Sequence, residues 1–438
     1  MISDLSEAWR GILDTGSVRA KLTVRLEPAG AGGAAWLSTR TDGDIALPLV
    51  DQGDRLAFFA PDFNLGLDLR RLAGGSRLAG ECRLAGCAFP VTLGRGAAAA
   101  EVHAPRPQTP RGPTPYESRA VAFLAADGAR LVGTLTVPAG GGTRAAVLLC
   151  TWHGRVDRDE SVAGHRPFAI WADELTRRGL ATLRFDKRGA GGSDGDFDRV
   201  TTADSVADLA RALAFLRSQP DIDLDRIALL GHSEGSHISA DLAAADGEVA
   251  ACVVLTPGGA PEAEIFATDL FRVARAVGGR PLWPERSIRF ALDLSEAVRV
   301  AATEAEAVAR VRAVLTREAE AGRFPAAQIA RRAELVASPW QRHWQGYDPT
   351  ASLSRLACPV LTVFAGRDLQ APPDRHGPRV RAALAGNPRA EIVELAGLNH
   401  LLQPAITGAP SEYGAIDQTL APEAIETVCG WLADVLGA

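Results

Sequence analysis

Hydrophobic and polar positions keep one rhythm over the first hundred residues and another after them. From Ser17 to about Arg95 short runs alternate with a period of two, with Gly and Asp between them; examples are Ala20–Leu26, Leu56–Phe59, Leu65–Leu69 and Pro90–Leu93. Successive side chains of a strand point to opposite faces, so this pattern predicts half-buried strands. Turn residues every ~8–12 positions predict antiparallel pairing in a small barrel or sandwich. Ahead of it, residues 1–15 predict a short helix around Trp9. Prolines at 105, 107, 110, 113 and 115 then forbid a helix and stiffen the chain.

From residue 118 the rhythm changes. Arg119–Ala125 and Leu131–Val137 alternate around Asp127-Gly128, a hairpin signal. Ala145–Cys150, Leu180–Phe185, Ile227–Leu230, Val249–Leu255, Pro359–Phe364 and Ala390–Leu395 have the length of buried strands. Pro167–Arg178, Ala203–Arg217, Ser236–Ala245 and Pro422–Leu436 predict helices between and after them. Strands alternating with helices define an α/β class with a mainly parallel sheet covered on both faces. The alternation stops between Pro257 and about Pro349, where residues 296–336 are rich in Ala, Glu and Arg. An all-helical insertion there falls at the strand ends where substrates bind, and reads as a cap. The expected organisation is a β domain over 1–103, a proline-rich linker over 104–117, an α/β core over 118–257 and 350–438, and a helical cap over 258–349.

The sharpest local signal lies where the apolar run Ile227–Leu230 meets Gly231-His232-Ser233-Glu234-Gly235 and a helix follows. Strand, tight turn and helix are the context a nucleophile elbow requires. Ser233 would project its hydroxyl above the strand end, and the amides at the helix start point to the same spot. A serine hydroxyl needs a base at neutral pH. His400, in the loop Gly397-Leu398-Asn399-His400 beyond the strand Ala390–Leu395, fits that role. Asp368, beyond the strand ending at Phe364, fits the acid that fixes the histidine tautomer, with Asp374 in reserve. The loop Thr151-Trp152-His153-Gly154-Arg155 follows an early strand, so amides of His153 or Gly154 are expected to join that of Glu234 in an oxyanion hole. Trp152, His232 and His237 are expected to line the substrate pocket.

Composition narrows the alternatives. The chain has 438 residues, 47% hydrophobic and 23% charged, which describes a soluble globular protein of two domains. Its net charge is −6 and no basic stripe occurs, which argues against nucleic acid as partner. No apolar run approaches ~18 residues and the N-terminus has no basic start, so neither a membrane span nor a signal peptide is expected. The six cysteines are scattered without metal-ligand spacing, so reduced thiols, a cytoplasmic location and no zinc site are expected. Self-association into a homo-oligomer stays open. Arg188-Gly189-Ala190-Gly191-Gly192-Ser193 lacks the Lys-Ser/Thr ending of a phosphate loop. The run Asp157-Arg158-Asp159-Glu160 is expected to pair with Asp186-Lys187-Arg188 and brace the loop behind the serine.

These stretches together resemble a bacterial branch of the α/β-hydrolase superfamily, esterases with an N-terminal β domain. The resemblance rests on Arg106-Pro107-Gln108-Thr109-Pro110, Asp157-Arg158-Asp159, Phe185-Asp186-Lys187-Arg188-Gly189, Gly231–Gly235, Asn399-His400 and Gly414. It implies an α/β-hydrolase fold with a helical cap insertion behind a small, barrel-like antiparallel β domain. It also implies hydrolysis of a small-molecule carboxylic ester or thioester by Ser233, Asp368 and His400, without cofactor or metal. Relatives usually carry Gly-Ser-Gly where this chain has Trp152-His153-Gly154, a departure that bears on the acyl pocket and the reaction type. Acyl transfer or carbon–carbon bond cleavage in a biosynthetic pathway is therefore the alternative on the same triad, and a non-catalytic ligand-binding protein is a third reading.

Overall fold

The computed structural model describes residues 8–27, 34–39, 43–51, 55–60, 65–72, 76–95 and 106–438. Two compact units emerge, one formed by residues 1–102, 263–338 and 409–412, the other by 103–262, 339–408 and 413–438.

The first unit begins with eight antiparallel strands: β1 (Trp9–Asp14), β2 (Arg19–Glu27), β3 (Ala34–Thr39), β4 (Gly43–Asp51), β5 (Arg55–Ala60), β6 (Leu65–Arg71), β7 (Arg77–Leu84) and β8 (Cys87–Arg95). Each pairs with the next, and β1 also pairs with β8, which closes the sheet into a barrel. Eight strands leave room for side chains alone to fill the interior. Leu22 and Val24, Leu56 and Phe58, Leu65, Leu67 and Leu69, and Phe89, Val91 and Leu93 supply that filling at the two-residue spacing of the sequence. The helix expected around Trp9 is instead strand β1; its residues 1–7 lie outside the described ones. Trp9 and Leu13 are four apart, a spacing that suits a helix face, but four is also an even number. Gly11 sits between them on the same strand face, where a Cβ would come within 2.3 Å of the Thr92 carbonyl oxygen. The missing side chain conceals the alternation.

The second unit opens at the proline-rich stretch, of which residues 104 and 105 lie outside the described ones. Arg106 donates to the carbonyls of Ile416, Ala163 and Gly414 at 2.9–3.0 Å, and Gln108 exchanges hydrogen bonds with Thr419 and Leu420. The stretch is thus fastened to this unit. Then follow β9 (Tyr116–Leu124), β10 (Arg130–Pro138), β11 (Arg144–Cys150), α1 (Pro167–Arg177), β12 (Ala181–Phe185), α2 (Thr202–Arg217), β13 (Ile222–His232), α3 (Glu234–Asp246) and β14 (Ala251–Leu255).

After β14 the chain enters the first unit through α4 (Glu262–Asp269) and continues as α5 (Arg272–Ala276), β15 (Arg280–Pro281), α6 (Pro284–Arg299), α7 (Glu304–Glu320) and α8 (Ile329–Val336). β15 pairs with β8, and Phe271 and Ala274 join the barrel core. Helices α6, α7 and α8 close on a core of their own around Leu294, Val311, Leu315 and Ala333. The helical insertion thus groups with the barrel. Its last helix does not: α9 (Pro339–Gln345), inside the segment expected as cap, belongs to the second unit.

The second unit is completed by β16 (Val360–Ala365), α10 (Pro373–Leu384), β17 (Ala390–Leu395), α11 (Pro422–Ile425) and α12 (Trp431–Leu436). Its sheet order is β17-β16-β14-β13-β11-β12-β10-β9. The two first strands form the antiparallel edge and the hairpin turns at Gly128, whose φ is +88°. The other pairings are parallel. β11, β14, β16 and the part of β13 from Ile227 to His232 are almost wholly buried, which explains why they read as solid apolar runs. Among the described residues no helix is long and apolar enough to cross a membrane. All six cysteines are unpaired thiols.

Candidate active site

Ser233 sits between β13 and α3 with φ 54° and ψ −119°, a left-handed conformation that costs a non-glycine residue energy. The two flanking glycines make the turn possible. A Cβ on Gly231 would lie 2.0 Å from the Gly235 carbonyl oxygen, and one on Gly235 would lie 2.1 Å from that of Cys150. Close packing of the elbow against strand β11 thus admits no side chain at either place. The Ser233 residue itself is only half-buried.

Asp368 and His400 meet beyond the ends of β16 and β17, with His400 Nδ1 donating to Asp368 Oδ2 at 2.6 Å. The other Asp368 oxygen accepts from the amides of Gln370 and Ala371, both at 2.8 Å. Burial works against this charge, but His400 and the two amides hold the carboxyl below its usual range. The His400 loop is shaped by Asn399, whose Oδ1 accepts from the Leu401 and Gln403 amides while its Nδ2 donates to Gln403 Oε1. Asp374 stands apart in the first turn of α10, with its side chain 60% exposed.

The loop after β11 is tied down by two carboxylates. Glu160 accepts from the Trp152 amide at 2.9 Å and shares a hydrogen bond with His232 Nδ1 at 2.7 Å. Glu234, buried at the start of α3, accepts from Thr202 Oγ1 and Trp340 Nε1, both at 2.7 Å, and from His153 Nδ1 at 3.3 Å. Lys187 Nζ lies 3.4 Å from it and also donates to the Trp152 carbonyl. Burial disfavours the Glu234 charge, yet Lys187, His153 and Trp340 keep its carboxyl well below the ordinary value. The expected bracing therefore exists, with Arg158 gripping Asp186 through its amide, Nε and Nη2 at 2.7–3.0 Å, and Arg184 gripping Asp159 at 2.8 Å. The glycines after Arg188 wrap this same Asp186. Gly192 donates its amide to Asp186 at 2.8 Å, and a Cβ on Gly191 would collide with the carboxylate.

The expected pocket residues divide. The Trp152 ring stacks on His232 at 5.6 Å and lies 6.5 Å from the His400 ring. His232 and His237 are 3% and 2% exposed and present no open surface. His232 donates from Nε2 to the His400 carbonyl at 2.8 Å. His237 accepts the Gly258 amide at 3.2 Å, and burial pushes its pKa down to about 4. Strand β13 and helix α3 turn both rings inward. His153 is the most exposed of the group and stacks on Trp340 at 3.8 Å. Trp340, Trp344 and Tyr347 continue as a row of stacked rings 5.4 and 5.1 Å apart. Sequence reading missed this row and the Glu160–His232 pair; the spacing of Trp340, Trp344 and Tyr347 at i, i+4 and i+7 was its only signal. Among the described residues no cluster of His, Cys, Asp and Glu could hold a metal ion.

Residues 145–340 match the family model described as serine aminopeptidase, S33. A curated esterase, EstD of Thermotoga maritima, is 23% identical over 314 residues, covering 69% of this chain and 65% of its own length. An uncharacterised protein of Mycobacterium tuberculosis is 35% identical over 139 residues, covering 30% of this chain and 45% of its own. Among solved structures, the α/β hydrolase GrgF from Penicillium is 17% identical with a TM-score of 0.46, over 73% of this chain and 98% of that one. Sheet order and elbow are those of an α/β-hydrolase fold, and the family match falls on the same region. The matching family model over residues 145–340 and the esterase relative make the chain similar to α/β hydrolases. It spans just under two thirds of the length of the esterase it matches.

Proposed function

We propose that the chain is a serine hydrolase that cleaves carboxylic esters or thioesters through an acyl-enzyme on Ser233. The observation that carries this reading is the strained backbone of Ser233 at the head of α3. A turn that costs energy persists where it aims a side chain. In the proposed cycle His400 Nε2 takes the Ser233 hydroxyl proton as Oγ attacks the substrate carbonyl. Asp368 holds the opposite nitrogen, Nδ1, in its protonated form and stabilises the imidazolium. The tetrahedral oxyanion is met by the Glu234 amide at the helix start. The Trp152 amide is committed to Glu160, so the second donor is assigned to His153 or Gly154. Collapse expels the alcohol or thiol, which takes its proton from His400. Water then repeats the attack with His400 as base, and the carboxylic acid leaves.

The EstD resemblance supports an ester substrate. The test is a panel of p-nitrophenyl esters, thioesters and lactones with and without a competing alcohol, run on wild type and S233A. Hydrolysis that vanishes in S233A supports the reading. Turnover that needs the alcohol would make the enzyme an acyltransferase, and a folded S233A keeping a tenth of the activity would refute the nucleophile.

A further inference from the structure

We infer that Glu160 and His232 form a second, buried carboxylate–histidine pair that positions the proposed catalytic groups by locking the oxyanion-side loop to the loop of the base. This rests on the assignment of Ser233, Asp368 and His400. Glu160 is fully buried and adopts a φ of 56°, a left-handed backbone at a residue that is not glycine. Its two carboxylate oxygens serve different segments: Oε2 accepts the Trp152 amide at 2.9 Å and Oε1 faces His232 Nδ1 at 2.7 Å. His232 then reaches the His400 carbonyl with Nε2 at 2.8 Å, its ring 5.0 Å from that of His400. The chain of contacts therefore runs from the loop after β11, through the residue before the serine, to the backbone of the base.

The proton inventory of this chain is fixed by its ends. A carbonyl oxygen can only accept, so His232 Nε2 carries a hydrogen. A neutral ring would then turn a lone pair at Nδ1 toward a carboxylate oxygen, which repels it. One further proton must lie between Nδ1 and Oε1, on either atom. The pair is then neutral overall, which explains how a carboxylate and an imidazole are buried side by side at 1% and 4% side-chain exposure. Neither group faces the Ser233 hydroxyl in the proposed cycle, so both are positioning residues.

Glutamine separates geometry from charge. In E160Q the amide oxygen accepts from Trp152 and the NH₂ donates to a neutral His232, whose Nε2–H still holds the His400 carbonyl. Alanine removes both contacts, and aspartate keeps the charge but is one methylene too short to serve both. The experiment measures kcat and KM on one activated ester, the rate of covalent labelling of Ser233 by a fluorophosphonate, and the melting temperature, for wild type, E160A, E160D, E160Q and H232A, with S233A as control. Displacement by ~1 Å can cost on the order of 10²-fold. We expect E160A, E160D and H232A to lose about that factor in kcat and in labelling rate with KM little changed, and E160Q to recover to within about tenfold of wild type. Folded E160A or E160D at the wild-type rate overturns the inference. So does a folded E160Q slowed by about 10²-fold relative to wild type, which stays decisive even if E160A, E160D and H232A fail to fold. Absence of Ser233 labelling in wild type would instead refute the nucleophile assignment itself.

Discussion

His400 Nδ1 stands 2.6 Å from Asp368 Oδ2, whereas Asp374, six residues on, turns its carboxylate to solvent beside Arg375. Two acids were eligible from the sequence, and the buried hydrogen bond supports Asp368 in the proposed role. D368N leaves shape intact but presents an amide that favours the wrong imidazole tautomer. It should lower kcat by on the order of 10⁴, while D374N should stay within about twofold. Steady-state kinetics on one activated ester check this; a crippled D374N beside a near-normal D368N would reverse the assignment.

Trp152 places its ring beside those of His232 and His400. If it walls the acyl site, W152G should shift preference toward longer acyl chains, at some loss of rate because glycine loosens the loop. A chain-length series of p-nitrophenyl esters on both proteins, with melting temperatures, is the measurement. An unchanged length profile with a large drop in melting temperature would leave Trp152 as a structural residue.

Glu234 gives a pH-dependent stability with a definite sign. Its folded-state carboxyl is held below the ordinary value by Lys187, His153 and Trp340 against the cost of burial. The stability it contributes is therefore present above the unfolded value of about 4.3 and is lost as pH falls through the folded value. E234Q leaves Lys187 without its buried counter-charge and should cost about 3–5 kcal/mol near pH 7. The gap to wild type should narrow below about pH 4. Chemical denaturation of both proteins across pH 3–8 checks this, and a gap that widens in acid would contradict it.

Gly11 is where the barrel closes, and a Cβ there would press on the Thr92 carbonyl at 2.3 Å and on Leu93 at 2.7 Å. G11V should destabilise the barrel unit by roughly 1–3 kcal/mol through overpacking. Thermal melting of G11V beside wild type reads it; an unaltered transition would mean that β1 does not close the sheet.

Much of this architecture was legible because it is local. The elbow announces itself in five residues, since each glycine answers a backbone collision within a few positions or on the neighbouring strand. Asp368 and His400 were legible from their places after apolar strands. Strand β1 was not, because Gly11 hides one step of the alternation. The grouping of helices α5–α8 with the barrel was hidden too: they interrupt the α/β sheet in sequence, and β15, Phe271 and Ala274 tie them to strands far earlier in the chain. Glu160 and His232 lie 72 positions apart, and nothing in either segment alone foretells their meeting. The stacking of His153 on Trp340, on opposite sides of the insertion, was equally beyond reach.

Ser233 is the proposed nucleophile. Its most direct test is incubation of the wild-type protein with a fluorophosphonate, followed by peptide mass spectrometry and a parallel ester assay. A single adduct on Ser233, loss of ester hydrolysis in proportion to labelling, and no adduct in a folded S233A are expected. Undiminished hydrolysis by a fully labelled protein, or an adduct on another residue that tracks the loss of activity, would contradict the assignment.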